Sequence, residues 1–243
     1  MKFPVDSYDL KARYAPGLLL ALPVLLTMWT CFNTEIKEIS NFIGALLSAT
    51  LIYGLSVIVR GMGKRLEPKL KEKWGGFAST IIVTQNDHTI GKELKRQYLE
   101  AASAYLKLPI PSLEEEENNP EQAREMIDQL FNRIKGVIRQ EEKDGLWSIA
   151  NAEYGFARNL YGSRTIWLIL CVLSTLVSGI FLYVDSGKLV LIGIIFNGLL
   201  LASCIIFGWF ILPRYTKEVA FRYAEHSWES FYNISQKKPK RDN

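Results

Sequence analysis

The sequence predicts an all-α membrane protein, with four transmembrane helices in two pairs (two plus two) and a helical module inserted between the pairs. Three observations predict this fold class. Four long apolar runs contain no Asp, Glu, Lys, Arg or His, the stretch between the second and third runs is rich in charge, and Lys and Arg gather on one side of all four runs. The apolar runs cover residues 17–32, 39–59, 166–184 and 189–212.

The length of these runs suits a bilayer. About 20 apolar residues in a helix cross a hydrocarbon core of about 30 Å. Three of the runs reach or nearly reach that length, and the first does so if its helix starts near Tyr14. Backbone groups in lipid must be hydrogen-bonded within their own segment, which favours helices. No small-residue cleavage site follows Phe32, so we expect the first span to stay as an anchor.

The distribution of basic residues predicts the orientation. Cytoplasmic loops of membrane proteins carry an excess of Lys and Arg, and here the two short loops within the pairs carry one lysine each, Lys37 and Lys188. We therefore predict that both termini and the central module are cytoplasmic. The predicted segments are a cytoplasmic N-terminus at 1–16, hairpins at 17–59 and 165–212, the module at 60–164 and a cytoplasmic tail at 213–243.

The module is predicted to be mainly helical. The second span should continue as a helix to Trp74, with Pro68 as a potential kink, and the paired glycines that follow predict a turn. The β-branched residues of 79–84 favour a short extended segment. Apolar residues at three- and four-residue spacing predict helices that start at Asp87 or Thr89 and end near 107, and that cover 120–140 and 146–161, the last leading directly into the third span.

Two boundaries and the tail complete this pattern. Asn119 and Pro120 form a favourable helix start, with a capping amide before the proline. The four carboxylates at 114–117 are expected in a solvated loop or helix start. The tail is predicted to be an aromatic-rich helix that ends in a basic cluster, and its aromatic residues suit either the membrane surface or the module.

Six basic residues follow the second span and are the candidate ligand-binding group. One interpretation is an anchor that contacts anionic lipid. The other is a basic vestibule that binds an anionic ligand below a pore, with copies of the helix around one axis strengthening the positive field. The candidate residues are Arg60, Lys64, Arg65, Lys69, Lys71 and Lys73.

Small and polar residues within the spans are the candidates for helix packing or for a pore. Lipid offers them no hydrogen-bond partner, so they are expected either to join the second and fourth spans or to line a narrow channel. The spans contain no charged side chain, which argues against ion-coupled transport but not against a passive pore. The candidates are Gly44, Ser48, Thr50, Gly193, Asn197 and Ser203.

Catalytic and metal-binding patterns are missing from the sequence. Its two histidines, His88 and His226, have no partner at metal-ligand spacing, and there is no HExxH, GxSxG or Walker motif. Its three cysteines all lie inside spans, which argues against a disulfide framework or a zinc site. We therefore predict no enzymatic activity, no cofactor and no metal.

Three stretches carry a resemblance to known proteins: Lys73-Trp74-Gly75-Gly76, the segment PIPSLEEEENN at 109–119, and Tyr154-Gly155-Phe156-Ala157-Arg158-Asn159-Leu160. They resemble an uncharacterised family of bacterial membrane proteins with the same layout. In layout and size, the chain is also similar to the membrane channel effector of Hailong-type antiphage defence, an oligomeric channel that short DNA holds shut. This second resemblance implies a polyanionic ligand, with the basic helix at 60–73 as its first candidate contact.

The sequence and these resemblances together predict an effector of the bacterial inner membrane. We expect a homo-oligomer, with a tetramer as the working assumption, whose pore depolarises the membrane in antiphage defence. A nucleotide, an oligonucleotide or a soluble partner encoded nearby would regulate it. The alternative is a non-conducting anchor or scaffold that recruits a soluble partner through the apolar stripe of 120–140.

Overall fold

A computed structural model describes residues 7–32, 41–142, 145–184 and 187–237 of the 243-residue chain. The regular structure in these residues is helical, with no strand. A short turn at Ser7–Asp9 and a π-helical turn at Leu10–Tyr14 come first, and a second π-helical stretch, Ile206–Ile211, joins the last two helices. The helices are α1 (Ala15–Cys31), α2 (Asn41–Trp74), α3 (Ala78–Ile81), α4 (Lys92–Leu106), α5 (Leu113–Asn118), α6 (Pro120–Glu141), α7 (Leu146–Val184), α8 (Lys188–Ile205) and α9 (Leu212–Lys237).

Four helical segments are long and apolar enough to cross a membrane, which confirms the predicted number of spans. They are Leu10–Cys31, Ile43–Ile81, Leu146–Val184 and Lys188–Lys237. The last three are about twice the length that a bilayer requires. The predictions that the second span runs on to Trp74 and that the helix from Leu146 leads directly into the third span are both confirmed.

The chain divides into two compact units. Unit 1 comprises Met1–Leu66 and Gly155–Thr216, and unit 2 comprises Glu67–Tyr154 and Lys217–Asn243. The predicted module at 60–164 therefore extends beyond unit 2 at both of its ends, and the tail belongs to the same compact unit as the module's central part. Each unit has its own packing.

Glycines allow the helices of unit 1 to approach closely. A Cβ atom on Gly17 of α1 would lie 3.0 Å from the Cα atom of Ser56 on α2, and one on Gly162 of α7 would lie 2.7 Å from the carbonyl oxygen of Met62. Both distances are shorter than normal contacts, so these positions require glycine. Close approach of this kind drives helix association in lipid. Large apolar side chains such as Leu176 and Phe210 remain exposed, as expected of surfaces that face acyl chains.

The core of unit 2 is built around aromatic residues of α9. Trp228 and Phe231 are completely buried, and the Trp228 ring stacks with that of Tyr98 on α4, with ring centroids 6.3 Å apart. The tail aromatics therefore pack within the module's own core, which decides between the two positions that the sequence left open. The predicted apolar stripe of 120–140 is also buried there, through Ile127, Ile134 and their neighbours on α6.

The expectation of an extended segment at 79–84 was wrong. Residues 78–81 form α3, and the chain then turns, with the Thr84 hydroxyl donating to the carbonyl oxygen of Ile81 at 2.7 Å. Ile82 and Val83 are buried in the unit 2 core. Burial of this short β-branched run outweighs its strand propensity, which is a weak and context-dependent preference.

Of three helix starts, that of α4 differs from expectation, that of α6 differs only in its cap, and that of α5 agrees. Helix α4 begins at Lys92 instead of Asp87 or Thr89, because the Asp87 carboxylate accepts from the backbone N–H of Thr89 and holds a turn there. Asn119 precedes α6 without a side-chain cap, and Pro120 occupies the first turn as predicted. The acidic run lies in α5, whose start has a complete capping box formed by Ser112 and Glu115.

Candidate functional site

A cleft of about 300 Å³ lies within unit 2. Its walls come from the polar end of α2, from α3 and the residues beside it, from α6, and from the ends of α7 and α9 that belong to this unit. The lining residues are Glu67, Leu70, Lys71, Trp74, Phe77, Ala78, Ser79, Asp128, Phe131, Asn132, Lys135, Tyr154, Ala220 and Tyr223.

Aromatic rings form much of the cleft wall. Tyr154 and Tyr223 stack with their ring centroids 6.0 Å apart and their planes 8° from parallel, and Phe131 meets Tyr223 edge-on at 6.4 Å. Trp74 and Phe77 are also half-buried lining residues. A wall of this kind offers flat apolar surface to a planar ring.

One charged pair in the cleft is already compensated. The Lys71 ammonium lies 3.2 Å from Asp128, and the Thr80 hydroxyl donates to the same carboxylate. Lys71 Nζ also lies 4.5 Å from the centre of the Phe77 ring, a cation–π distance. Asp128 is therefore held by two donors and fixes Lys71 against the aromatic wall.

Lys135 is the second cation of the cleft, and within the described residues it makes no ion pair. Its ammonium lies 5.5 Å from the centre of the Phe131 ring. Burial lowers the pKa of Lys135, and Arg139 lowers it further, while Glu67 and Asp128 oppose the change. Burial without a paired carboxylate makes this charge unfavourable, so an incoming anionic group would stabilise it.

Three of the four membrane-spanning segments contribute residues to this cleft. Lys71 and Trp74 belong to α2, Tyr154 to α7, and Tyr223 to the segment that continues from α8 through α9. Each of these segments is helical from its apolar span to its cleft residue. The cleft residues of these three segments therefore lie on the same continuous helices as their apolar runs.

All six predicted anion-binding residues are exposed on α2. Helical spacing places Arg65, Lys69 and Lys73 in one stripe, and places Arg60, Lys64 and Lys71 in another. Of the six, only Lys71 lines the cleft. It is also the only one with an ion pair to a described residue. The structure thus gives two basic stripes on one helix, with the cleft beside the second.

Asn197 is completely buried, but its partners are not those that the sequence suggested. Its side-chain N–H groups donate to Thr27 Oγ1 at 2.8 Å and to Ser178 Oγ at 2.9 Å. It therefore joins the fourth span to the first and third, and not to the second, which corrects the expected pairing. Gly193, one turn earlier, packs on Thr30, where an added Cβ would lie 2.8 Å from the Thr30 Cβ.

The candidates on the second span have an open environment. An added Cβ on Gly44 or Gly54 would meet nothing within 4 Å, and Thr50 is exposed. The hydroxyls of Ser48 and Thr50 donate to carbonyl oxygens of their own helix. Ser203 on the fourth span is exposed as well. The predicted set thus divides into residues buried inside the bundle and residues on its outer faces.

Two buried polar residues with backbone hydrogen bonds were not singled out by the sequence. The ammonium of Lys95, which is 4% exposed, donates to the carbonyl oxygen of Thr84 at 2.6 Å and to that of Asp87. Asn159 donates to the carbonyl oxygen of Ala12 at 2.6 Å and is 1% exposed. Asn159 lies in the resemblance motif of 154–160, so its buried hydrogen bond gives one physical reason for that motif.

Comparison with family models, curated proteins and solved structures found no match. Within the described ranges, no group of three or more His, Cys, Asp and Glu side chains converges on one point as a metal site would require. Cys31, Cys171 and Cys204 are free thiols. The aromatic cleft with its lysines is the candidate site that the geometry supports best.

Proposed function

We propose that this protein is a homo-oligomeric pore of the bacterial inner membrane whose module, in the cytoplasm, senses a ligand or a soluble partner. The pore would depolarise the membrane, and the layout that it shares with Hailong-type channel effectors suggests a role in antiphage defence. Nucleotides and oligonucleotides are the first ligands to consider. The side of the membrane follows from the excess of Lys and Arg in the module and beside the spans.

One observation carries this proposal. The cleft of unit 2 is built on continuations of three membrane-spanning segments, so ligand binding and the membrane bundle share the same helices. A ligand can shift a conformational equilibrium only through differential contacts with the two states. Side chains at the ends of the spanning helices are well placed to make such contacts.

The outer face of the second span is the proposed pore lining and subunit contact. Thr50, Gly54, Val57 and Gly61 recur at four- and three-residue spacing and are all exposed. This spacing places them on one face of α2. Small residues let helices of neighbouring subunits approach, and the Thr50 hydroxyl would add a polar lining to the pore.

The test is to express the protein in bacteria and to follow membrane potential with a dye. We expect depolarisation by the wild type that Thr50→Leu reduces, because the substitution narrows and dehydrates the proposed lining. Ser203→Leu is the matched control, since it changes an exposed polar residue of the fourth span in the same way. Asn197→Leu should retain conduction, because Asn197 is buried within the bundle. Loss of conduction in Ser203→Leu, with Thr50→Leu unaffected, would instead assign the lining to the fourth span.

A second variant tests the basic helix as a ligand contact. Lys64, Arg65 and Lys69 are exposed and make no ion pair with described residues, so replacing all three by glutamate breaks no salt bridge. We expect the variant to insert and fold but to lose its ligand response. Gating like that of the wild type would remove the basic helix from the proposal.

The scaffold alternative receives less support. It assigned partner recruitment to the apolar stripe of 120–140, and that stripe is buried in the unit 2 core through Ile127, Leu130 and Ile134. A scaffold would have to use another surface. Overexpression separates the two functions, because a deregulated pore dissipates membrane potential whereas an anchor is tolerated.

A further inference from the structure

We propose that the unit 2 cleft binds a small anion that carries a planar aromatic ring, with Lys135 facing its anionic group and the aromatic wall facing its ring. Such an anion would be the ligand of the proposed function, and only the effect of binding on conduction rests on that proposal. The binding itself is argued from the cleft alone.

The aromatic wall is the first reason. Trp74, Phe77, Tyr154 and Tyr223 are half-buried beside an open cleft, although the same unit has a closed core in which Trp228 is fully buried. Partly exposed rings are stabilised when they stack on one another or on a ligand, because their apolar surface is then removed from water. Stacking of a base on an aromatic side chain stabilises the bound state and tolerates any base, because every base has a flat face.

The charges of the cleft are the second reason. Lys71 and Asp128 compensate each other at 3.2 Å, which leaves Lys135 as the cation without an ion pair in the described part of the cleft. Glu67 and Asp128 partly offset its charge, and Arg139 adds repulsion. A ligand anion beside Lys135 would supply the missing partner at a half-buried position, where a charge pair is worth more than on the open surface.

Size narrows the ligand further. The cleft volume of about 300 Å³ is at the lower end of the range for small-molecule sites. It suits one ring with its anionic group, on the scale of a mononucleotide. An oligonucleotide could place only a single unit in it.

Binding of defined probes to the full-length protein in phosphatidylcholine nanodiscs tests the inference. The probes are the four ribonucleoside monophosphates, with adenosine as the ring without charge and ribose 5-phosphate as the charge without a base. We expect at least one monophosphate to bind, and adenosine and ribose 5-phosphate to bind at least about tenfold more weakly, since each lacks about 1.4 kcal/mol or more of contact.

Two variants assign the contacts. Lys135→Met should reduce monophosphate affinity to the level of adenosine, and Trp74→Ala should reduce it to the level of ribose 5-phosphate. Lys92→Met is the control, because Lys92 is an exposed lysine of the same unit outside the cleft. Binding that survives Lys135→Met, or equal binding of ribose 5-phosphate, would overturn the inference in favour of general attraction to basic surface. Failure of every probe to bind would overturn it as well.

The membrane-potential assay separates this inference from the proposed function. If the protein conducts but binds no probe, the proposed pore is retained and the cleft is rejected as the ligand site. If the protein binds a probe but does not conduct, the cleft is supported as the ligand site and the proposed pore is rejected.

Discussion

Backbone conformation at Gly75 explains the paired glycines after α2. Gly75 has φ of 81° and Gly76 has φ of 155°, and nothing lies within 4 Å of a Cβ added to Gly75. A side chain at Gly75 would therefore meet backbone strain and no steric clash. These glycines form the turn that joins the end of α2 to Phe77, and residues on both sides of the turn line the cleft.

The first prediction is that Gly75→Ala destabilises the protein by about 1–2 kcal/mol, the cost of a left-handed conformation for a residue with a Cβ. Gly91→Ala is the matched control, because Gly91 is equally open but has φ of −63°. Chemical unfolding of the detergent-purified protein, followed by tryptophan fluorescence, measures the difference. Equal effects of the two substitutions would contradict the strain argument.

Tyr98 gives a prediction about pH. Burial raises the pKa of Tyr98 to about 12, and the nearby Glu229 and Glu225 add repulsion to the phenolate. The folded state therefore favours the neutral phenol more than the unfolded chain, whose tyrosine pKa is about 10. This contribution is fully present below pH 10 and is lost as pH rises from about 10 to 12.

We expect Tyr98→Phe to remove that dependence. Between about pH 9 and pH 12 the wild type should lose about 2–3 kcal/mol more stability than the variant, which is the value of a shift of about two units. Unfolding midpoints measured at both pH values test it. If the two proteins lose the same stability, Tyr98 ionises as an exposed tyrosine does.

At the scale of elements, continuous helices join the apolar segments to the residues of unit 2. The segment from α8 through α9 stays helical from Lys188 to Lys237. Arg214, Lys217 and Glu218 are exposed where it leaves the apolar run. These three positions allow the helix to be weakened without disturbing the core.

Replacing these three residues by glycine should uncouple the cleft from the proposed pore. Each glycine costs about 1 kcal/mol of helix stability relative to alanine. The helix would therefore bend and transmit less of a conformational change in the cleft. The triple alanine variant is the control, because it removes the same charges and keeps the helix. We expect probe binding in both variants and a ligand-dependent conductance only in the alanine variant. A normal response in the glycine variant would show that α2 and α7 suffice.

Some of these elements could be predicted from the sequence, and others could not. The spans could be predicted from the uncharged runs, because every backbone group in lipid must be hydrogen-bonded within its own segment. The segment of 79–84 was misjudged because Ile82 and Val83 are β-branched for reasons of core packing and not of strand pairing. Asn197 was recognised as polar within a span, but a periodic pattern gives the face of a helix and not its neighbour. Its contact with Thr27 spans 170 residues of sequence.

At the scale of the whole molecule, the cleft was the feature that could least be predicted from the sequence. Lys71 was a candidate, whereas Lys135, Trp74 and Tyr154 were assigned to helices without a site. These residues lie in separate segments, and only the tertiary fold brings them together. The usable signal was a set of aromatic residues, Trp74, Tyr154 and Tyr223, in the charged helical continuations of three apolar runs.

The composition of unit 2 from two distant segments has a consequence for biosynthesis. Its core requires Trp228 and Phe231, yet its first segment ends at Tyr154. At about 5–20 residues per second, the ribosome needs roughly 4–15 s to extend the chain from Tyr154 to Trp228. During that interval the third and fourth spans emerge, while the unfinished module exposes the apolar surface that α9 later covers. A nascent chain therefore cannot complete unit 2 before all four apolar segments have been made.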